Sequence, residues 1–164
     1  DLTDHYDPRA KILRLSRAVA NTPSVASLGI VAHEIGHALQ DAEGFAPMRL
    51  RAALVPAANI GSTLGYLLFI AGIFIGATGL VWLGIAFFSM GALFTLATLP
   101  VEFDASRRAL AMLQRSAIVA AGEVDGARAV LNAAALTYVA ALAQAVSSLL
   151  YYVFIALGVS RREE

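Results

Sequence analysis

The sequence contains no cysteine. Disulfides, thiolate nucleophiles and cysteine-ligated metals are thereby excluded, and any transition-metal site must be built from histidine and carboxylates. Net charge is also lacking, because 12 Lys and Arg balance 12 Asp and Glu. With no basic stripe and no interleaved aromatics, nucleic acid is not an expected partner. Histidine is scarce: His5, His33 and His37 are the only three among 164 residues. There is no leader running from charged to apolar to small residues and the first residue is Asp1, so the sequence reads as a fragment or a processed chain.

The largest deficit is charge along the middle of the chain. No side chain that is ionised at neutral pH occurs between Arg51 and Glu102, and none between Arg128 and Arg161. Apolar residues make up 59% of the chain before its 13 glycines are counted, an excess over soluble globular composition. A helix needs ~20 apolar residues to cross a bilayer. The first uncharged run therefore accommodates a helical hairpin, about 56–76 and 79–99, turned at Gly76-Ala77-Thr78-Gly79. The second holds a further span, about 134–159, with Tyr151, Tyr152 and Phe154 as candidates for its interfacial end. Buried helices of a soluble core are the competing reading, but runs this long without a charge argue against it.

Arg9, Lys11, Arg14, Arg17, Arg49, Arg51, Arg107, Arg108, Arg115 and Arg128 all fall on the side where the hairpin enters and leaves. By the positive-inside rule that side is cytoplasmic, which places residues 1–55 and 100–130 at the cytosol. Arg161 and Arg162 would then lie outside, a conflict that a re-entrant last helix would remove.

Before the hairpin, Lys11-Ile12-Leu13-Arg14-Leu15-Ser16-Arg17 alternates polar and apolar after a turn at Asp7-Pro8, the pattern of a half-exposed strand. A helix is expected from a Thr22 cap with Pro23 in the first turn, continuing through Leu39 and stopping at Gly44. Helix is expected to resume with Pro100 near its start, and residues 125–131 lead into the last span.

The first of these helices carries His33-Glu34-Ile35-Gly36-His37, the H-E-x-x-H pattern. Residues four apart stack on one helix face, so both imidazoles can reach one Zn²⁺ while Glu34 projects beside it as a general base toward a metal-activated water. Chance juxtaposition is the bland alternative, yet two of the three histidines fall in the motif on an otherwise uncharged helix. A zinc hydrolase needs a third protein ligand. Metzincins would require glycine and histidine where Gln40 and Glu43 stand, so that class is excluded. Glu102 is the strongest candidate, since the hairpin returns it to the side of the motif helix; its bland role is a solvated carboxylate at a helix start. Asp104 faces elsewhere and is the weaker choice. His5 reads either as a group touching substrate or metal or, in preference, as a turn histidine. Tyr138 and Asn59 are candidate oxyanion donors or, more simply, interhelical hydrogen-bond partners. Arg107 and Arg108 are candidates for substrate carboxylates or for headgroup anchoring.

The chain resembles the YugP-like neutral zinc metallopeptidases of bacterial membranes over nearly its whole length. The segments that carry the likeness are residues 2–8, 31–41, 50–62, 99–110 and 133–140, including Val31-Ala32-His33-Glu34-Ile35-Gly36-His37-Ala38-Leu39-Gln40-Asp41 and Leu99-Pro100-Val101-Glu102-Phe103-Asp104-Ala105-Ser106-Arg107-Arg108. The resemblance implies a further membrane helix upstream of Asp1 and a distant similarity to HtpX-type proteases. In those, the third ligand is the Glu of a Glu-x-x-x-Asp pattern. Glu102 matches that Glu, while Ser106 stands at the Asp position, so the outer-partner role is open among Ser106, Asp104, Arg107 and other groups.

The expected fold is an all-α membrane protein: a transmembrane hairpin plus a further membrane helix, with a small zincin-like strand beside the motif helix. It is read as one domain over residues 1–164, made of strand and motif helix (1–55), hairpin (56–99), third-ligand helix and connector (100–131) and third membrane helix (132–160). The expected activity is zinc-dependent endopeptidase at or near the cytoplasmic face of a bacterial inner membrane, with Zn²⁺ as cofactor. Its substrate would be a peptide or membrane protein pairing with the edge of the Lys11 to Ser16 strand. A homo-oligomer or a regulatory membrane partner is a further candidate. The rivals are a non-catalytic metal-binding scaffold, which has no need of Glu34, and a site-2-type intramembrane protease, which needs the motif helix to span the bilayer.

Overall fold

The computed structural model describes residues 4–116 and 119–160. The expected outside placement of Arg161 and Arg162 lies beyond the described residues. The chain folds as two strands, β1 (His5–Asp7) and β2 (Ile12–Arg14), followed by α1 (Arg17–Asn21), α2 (Val25–Ala42), α3 (Ala46–Ile75), α4 (Thr78–Arg115) and α5 (Ala121–Ser160). It divides into two compact units. The first takes the described residues up to Arg49 and from Leu99 to Tyr138; the second takes Leu50–Thr98 and the described residues from Val139 onward.

In the first unit, β1 and β2 form an antiparallel hairpin with His5 opposite Arg14, Tyr6 opposite Leu13 and Asp7 opposite Ile12. Asp7 makes the expected turn, its Oδ1 accepting the amides of Arg9 at 2.9 Å and Ala10 at 3.1 Å, the local pattern that suits Asp to turns. Those bonds hold the Asp7 carboxyl below the usual carboxylate range. The strand is shorter than its alternating sequence suggests, because Ser16 caps α1 instead, with its own amide donated to Asp4 at 2.6 Å. His5 accordingly lies in a strand and not in the turn.

The start of α2 also differs from expectation. Thr22 closes α1, and Ser24 is the cap of α2, accepting the Ser27 amide at 3.1 Å. Its end falls as the glycine predicts. Gly44 adopts φ +65°, Phe45 donates to the Gln40 carbonyl at 2.9 Å and Gly44 to that of Asp41 at 3.1 Å, the paired bonds of a Schellman cap. The core of this unit is Ala32, Ala109, Leu113, Val124, Ala127 and Leu131, contributed by α2, α4 and α5.

Three helices, α3, α4 and α5, are long and apolar enough to cross a membrane, with 30, 38 and 40 residues. Gly76, at φ +67°, turns α3 into α4 where the hairpin was expected to turn. Two prolines do not punctuate these helices. Pro56 lies inside α3, and Pro100 lies inside α4, where it does not start a new helix. Proline costs a helix interior ~3 kcal/mol in water, but apolar helices tolerate it where neighbouring groups take up the freed carbonyl. α5 is likewise continuous from Ala121 to Ser160, with no re-entrant turn among the described residues. Within the second unit α3 and α4 touch backbone to backbone, since a Cβ on Gly84 would meet the Phe69 nitrogen at 2.5 Å. Tyr152 packs there against Phe69 and Phe88, so it serves as a packing group, whereas Tyr151 is exposed.

Candidate metal centre

The site grows from one close helix approach in the first unit. A Cβ on Gly36 would lie 2.5 Å from the Ala105 carbonyl oxygen, so α2 and α4 meet there with nothing but hydrogen between them. On α2, His33 and Gln40 lie one turn to either side of Gly36, with His37 next to it; on α4, Glu102 lies one turn before Ala105, with Asp104 and Ser106 on either side of it. This close approach lets the side chains of His33, His37 and Glu102 meet across the two helices. Gly36→Ala should separate the helices, because the obstructing atom is backbone and cannot rotate away. We expect a loss of stability of ~1–3 kcal/mol, the usual range for overpacking, together with weaker metal binding. Thermal unfolding and a metal titration check this; an unchanged midpoint with unchanged metal affinity would contradict it.

Nε2 of His33 lies 3.1 Å from Glu102 Oε2, and Nε2 of His37 lies 3.5 Å from the same oxygen. The ligand atoms of these three residues all fall within 4.8 Å of one another, the one such group of His, Asp and Glu among the described residues. In a tetrahedron with bonds near 2.1 Å, donors are separated by about 3.4 Å. The two histidine-to-carboxylate separations bracket that value, and two imidazoles with one carboxylate are a donor set suited to zinc. The residues fit the metal.

Both imidazoles turn Nε2 inward and Nδ1 outward. His33 Nδ1 lies 3.2 Å from the Ser106 hydroxyl. His37 Nδ1 lies 2.9 Å from Gln40 Oε1. Gln40 is fully buried and donates from Nε2 to the Val101 carbonyl at 2.8 Å and to Asp104 Oδ2 at 3.0 Å. Asp104 is also buried and pairs with Arg107 and Arg108, and Arg108 donates on to Glu43 at 2.7 Å. Burial disfavours a charged His37, but the Glu102 carboxylate and the Gln40 carbonyl outweigh it, so its pKa lies above the ordinary histidine value.

Glu34 is buried, yet it stands apart from the ligand group. Its Oε2 accepts the Tyr6 backbone amide at 2.8 Å, and the Tyr6 hydroxyl donates to Asp41 Oδ2 at 2.8 Å. Glu34 and Asp41 are seven apart on α2, two turns along one face, and Tyr6 spans them. Burial and the Asp41 bond raise the Tyr6 pKa. The strand beside the candidate base is thus β1, and β2, where substrate pairing was expected, is the exposed outer strand.

Other candidates are not gathered in. His5 is exposed on β1 and outside the ligand group. Asn59 is exposed in the second unit, where its carbonyl accepts the Ser62 hydroxyl at 3.2 Å. Tyr138 is half-buried on α5 in the first unit. Sequence reasoning missed Gln40, Tyr6 and Asp41. A signal for Gln40 was present, because it lies one turn beyond His37 on the motif's own face.

A family model described as "Putative neutral zinc metallopeptidase" matches residues 1–157. A relative from Bacillus subtilis (strain 168), described as "Putative membrane protease YugP", is 42% identical over 157 residues, covering 96% of this chain and 70% of the relative. No solved structure matches the chain.

Proposed function

The chain belongs to this neutral zinc metallopeptidase family, and from that premise we propose that it is a zinc-dependent membrane endopeptidase in which His33, His37 and Glu102 hold the metal and Glu34 is the general base. The observation that carries the reading is the separation of its two buried glutamates. Glu102 faces both Nε2 atoms, whereas Glu34 is held by the Tyr6 amide outside the ligand group. A site built only for structure has no use for an acid in that second position.

Bound zinc would supply Lewis acidity, polarising a peptide carbonyl and lowering the pKa of water. Glu34 accepts the proton of the attacking water and returns it to the leaving amine. The Tyr6 amide fixes the direction of the Glu34 carboxylate, and the Tyr6 hydroxyl, tied to Asp41, fixes Tyr6 in turn. Ser106 and Gln40 hold the outer nitrogens of the two imidazoles. Asp104, with Arg107, supports Gln40 from α4.

We propose that the reaction takes place at or near the cytoplasmic face of a multi-pass inner-membrane protein. Three apolar helices and the cluster of arginines where the hairpin enters and leaves support this placement. The motif helix α2 is not among the helices that meet the length and hydropathy of a span, which favours cleavage beside the bilayer over cleavage within it. The substrate class is an unstructured peptide or an exposed segment of a membrane protein.

The test begins with alkaline-washed membranes, in which the protein should stay with the pellet. After detergent purification it should cleave an unstructured reporter peptide, stop when 1,10-phenanthroline removes the metal and resume when Zn²⁺ is returned. Release by the wash would contradict the membrane placement. Hydrolysis indifferent to the chelator would contradict the zinc mechanism.

A further inference from the structure

We propose that Gln40 is a positioning residue of the metal site, one that determines which nitrogen of His37 is offered to the metal; this rests on the reading of His37 as a zinc ligand. The two ends of a carboxamide are alike in shape and opposite in hydrogen bonding: one only accepts, the other only donates. At Gln40 the polarity is dictated from α4. The Val101 carbonyl can only accept, and the Asp104 carboxylate, paired with Arg107 and Arg108, accepts as well. Both contacts require the NH2 group at that end. The carbonyl oxygen must then face His37, where it meets Nδ1 at 2.9 Å.

A carbonyl oxygen has no proton to give, so Nδ1 of His37 carries it. In a neutral imidazole that leaves the lone pair on Nε2, the nitrogen directed at Glu102. The succession from the two arginines through Asp104 and Gln40 to His37 thus sets the tautomer of a ligand by polarity, over a path with no charge on the amide itself. Complete burial of Gln40 keeps water from substituting for either partner. For His33 the hydroxyl of Ser106 sits at the corresponding nitrogen, but a hydroxyl donates as readily as it accepts and imposes no such choice.

A simpler role for Gln40 is a tie between α2 and α4, which would use only its NH2 end. The two roles separate by substitution. Gln40→Glu keeps an oxygen toward His37 while losing both donated bonds and placing a second carboxylate beside Asp104. Gln40→Met keeps length and bulk and loses all hydrogen bonding. Zinc affinity of the detergent-purified full chain, measured by competition with a chelator, is read alongside the thermal midpoint of the metal-free protein.

Gln40→Met should raise the zinc dissociation constant ~10- to 100-fold, the usual cost of losing an outer partner of a metal ligand. Gln40→Glu should bind zinc within a few-fold of the wild type even though both variants lower the midpoint. Wild-type affinity in Gln40→Met, or an equal loss in both variants, would overturn the proposal and leave the zinc reading standing. Wild-type protein that binds zinc no better than His37→Ala would overturn both.

Discussion

Glu34→Gln is expected to keep its zinc and lose its activity. The substitution preserves the shape of the side chain, and the glutamine oxygen can still accept the Tyr6 amide that now holds Glu34 Oε2 at 2.8 Å. Glu34 is not one of the three residues whose donor atoms converge, so metal content should remain at the wild-type level. The amide cannot take a proton from water. Peptide hydrolysis should therefore fall by ~10²-fold or more, the lower end of what a positioned base contributes. Metal analysis and turnover on the same preparation decide the matter. Retained activity would refute Glu34 as the base, and lost zinc would make it a ligand.

Glu102→Ala should behave in the opposite way, losing metal first and activity as a consequence. Glu102 is buried, and the same oxygen faces both imidazoles. Without it two nitrogens remain, one short of the three protein ligands a zinc hydrolase uses. Zinc affinity should drop by more than the ~10- to 100-fold that follows from losing an outer partner. The variant should also move His37 in the metal-free protein. Burial lowers the His37 pKa and the Glu102 carboxylate raises it, so removing the carboxylate should shift the titration to lower pH. If zinc and activity both survive, Glu102 is not the third ligand.

What could be read from the sequence follows from how far each signal depends on neighbours distant in the chain. His33, Glu34 and His37 were legible because four-residue spacing on a helix is a local rule. The apolar helices were legible because the absence of charge over a bilayer's thickness is also local. Gly44 and Gly76 marked their turns for the same reason, each adopting positive φ. Glu102 was reached less directly, through the need for a third ligand and through the family likeness.

The helix boundaries at Pro56 and Pro100 were misread, because proline's effect depends on whether an apolar surrounding keeps the helix continuous. Thr22 and Ser24 are both adequate caps, and only the placement of α1 decides between them. Gln40 entered the sequence reading only as the residue that stands where a metzincin would carry glycine. Its meaning lies in Val101 and Asp104, more than sixty residues away, which fix the direction of its amide. Tyr6 was invisible for a related reason, since it is the backbone amide of a three-residue strand, and not the side chain, that reaches Glu34.

His33, His37 and Glu102 are proposed to hold one zinc ion together. The zinc K-edge absorption spectrum of the detergent-purified, zinc-loaded protein tests it most directly. The zinc should be bound by nitrogen and oxygen only, at about 2.0–2.2 Å, with scattering from two imidazole rings. The ring signal should halve in His33→Ala or His37→Ala measured at saturating zinc. A spectrum with no imidazole contribution, or one unchanged by either substitution, would contradict it.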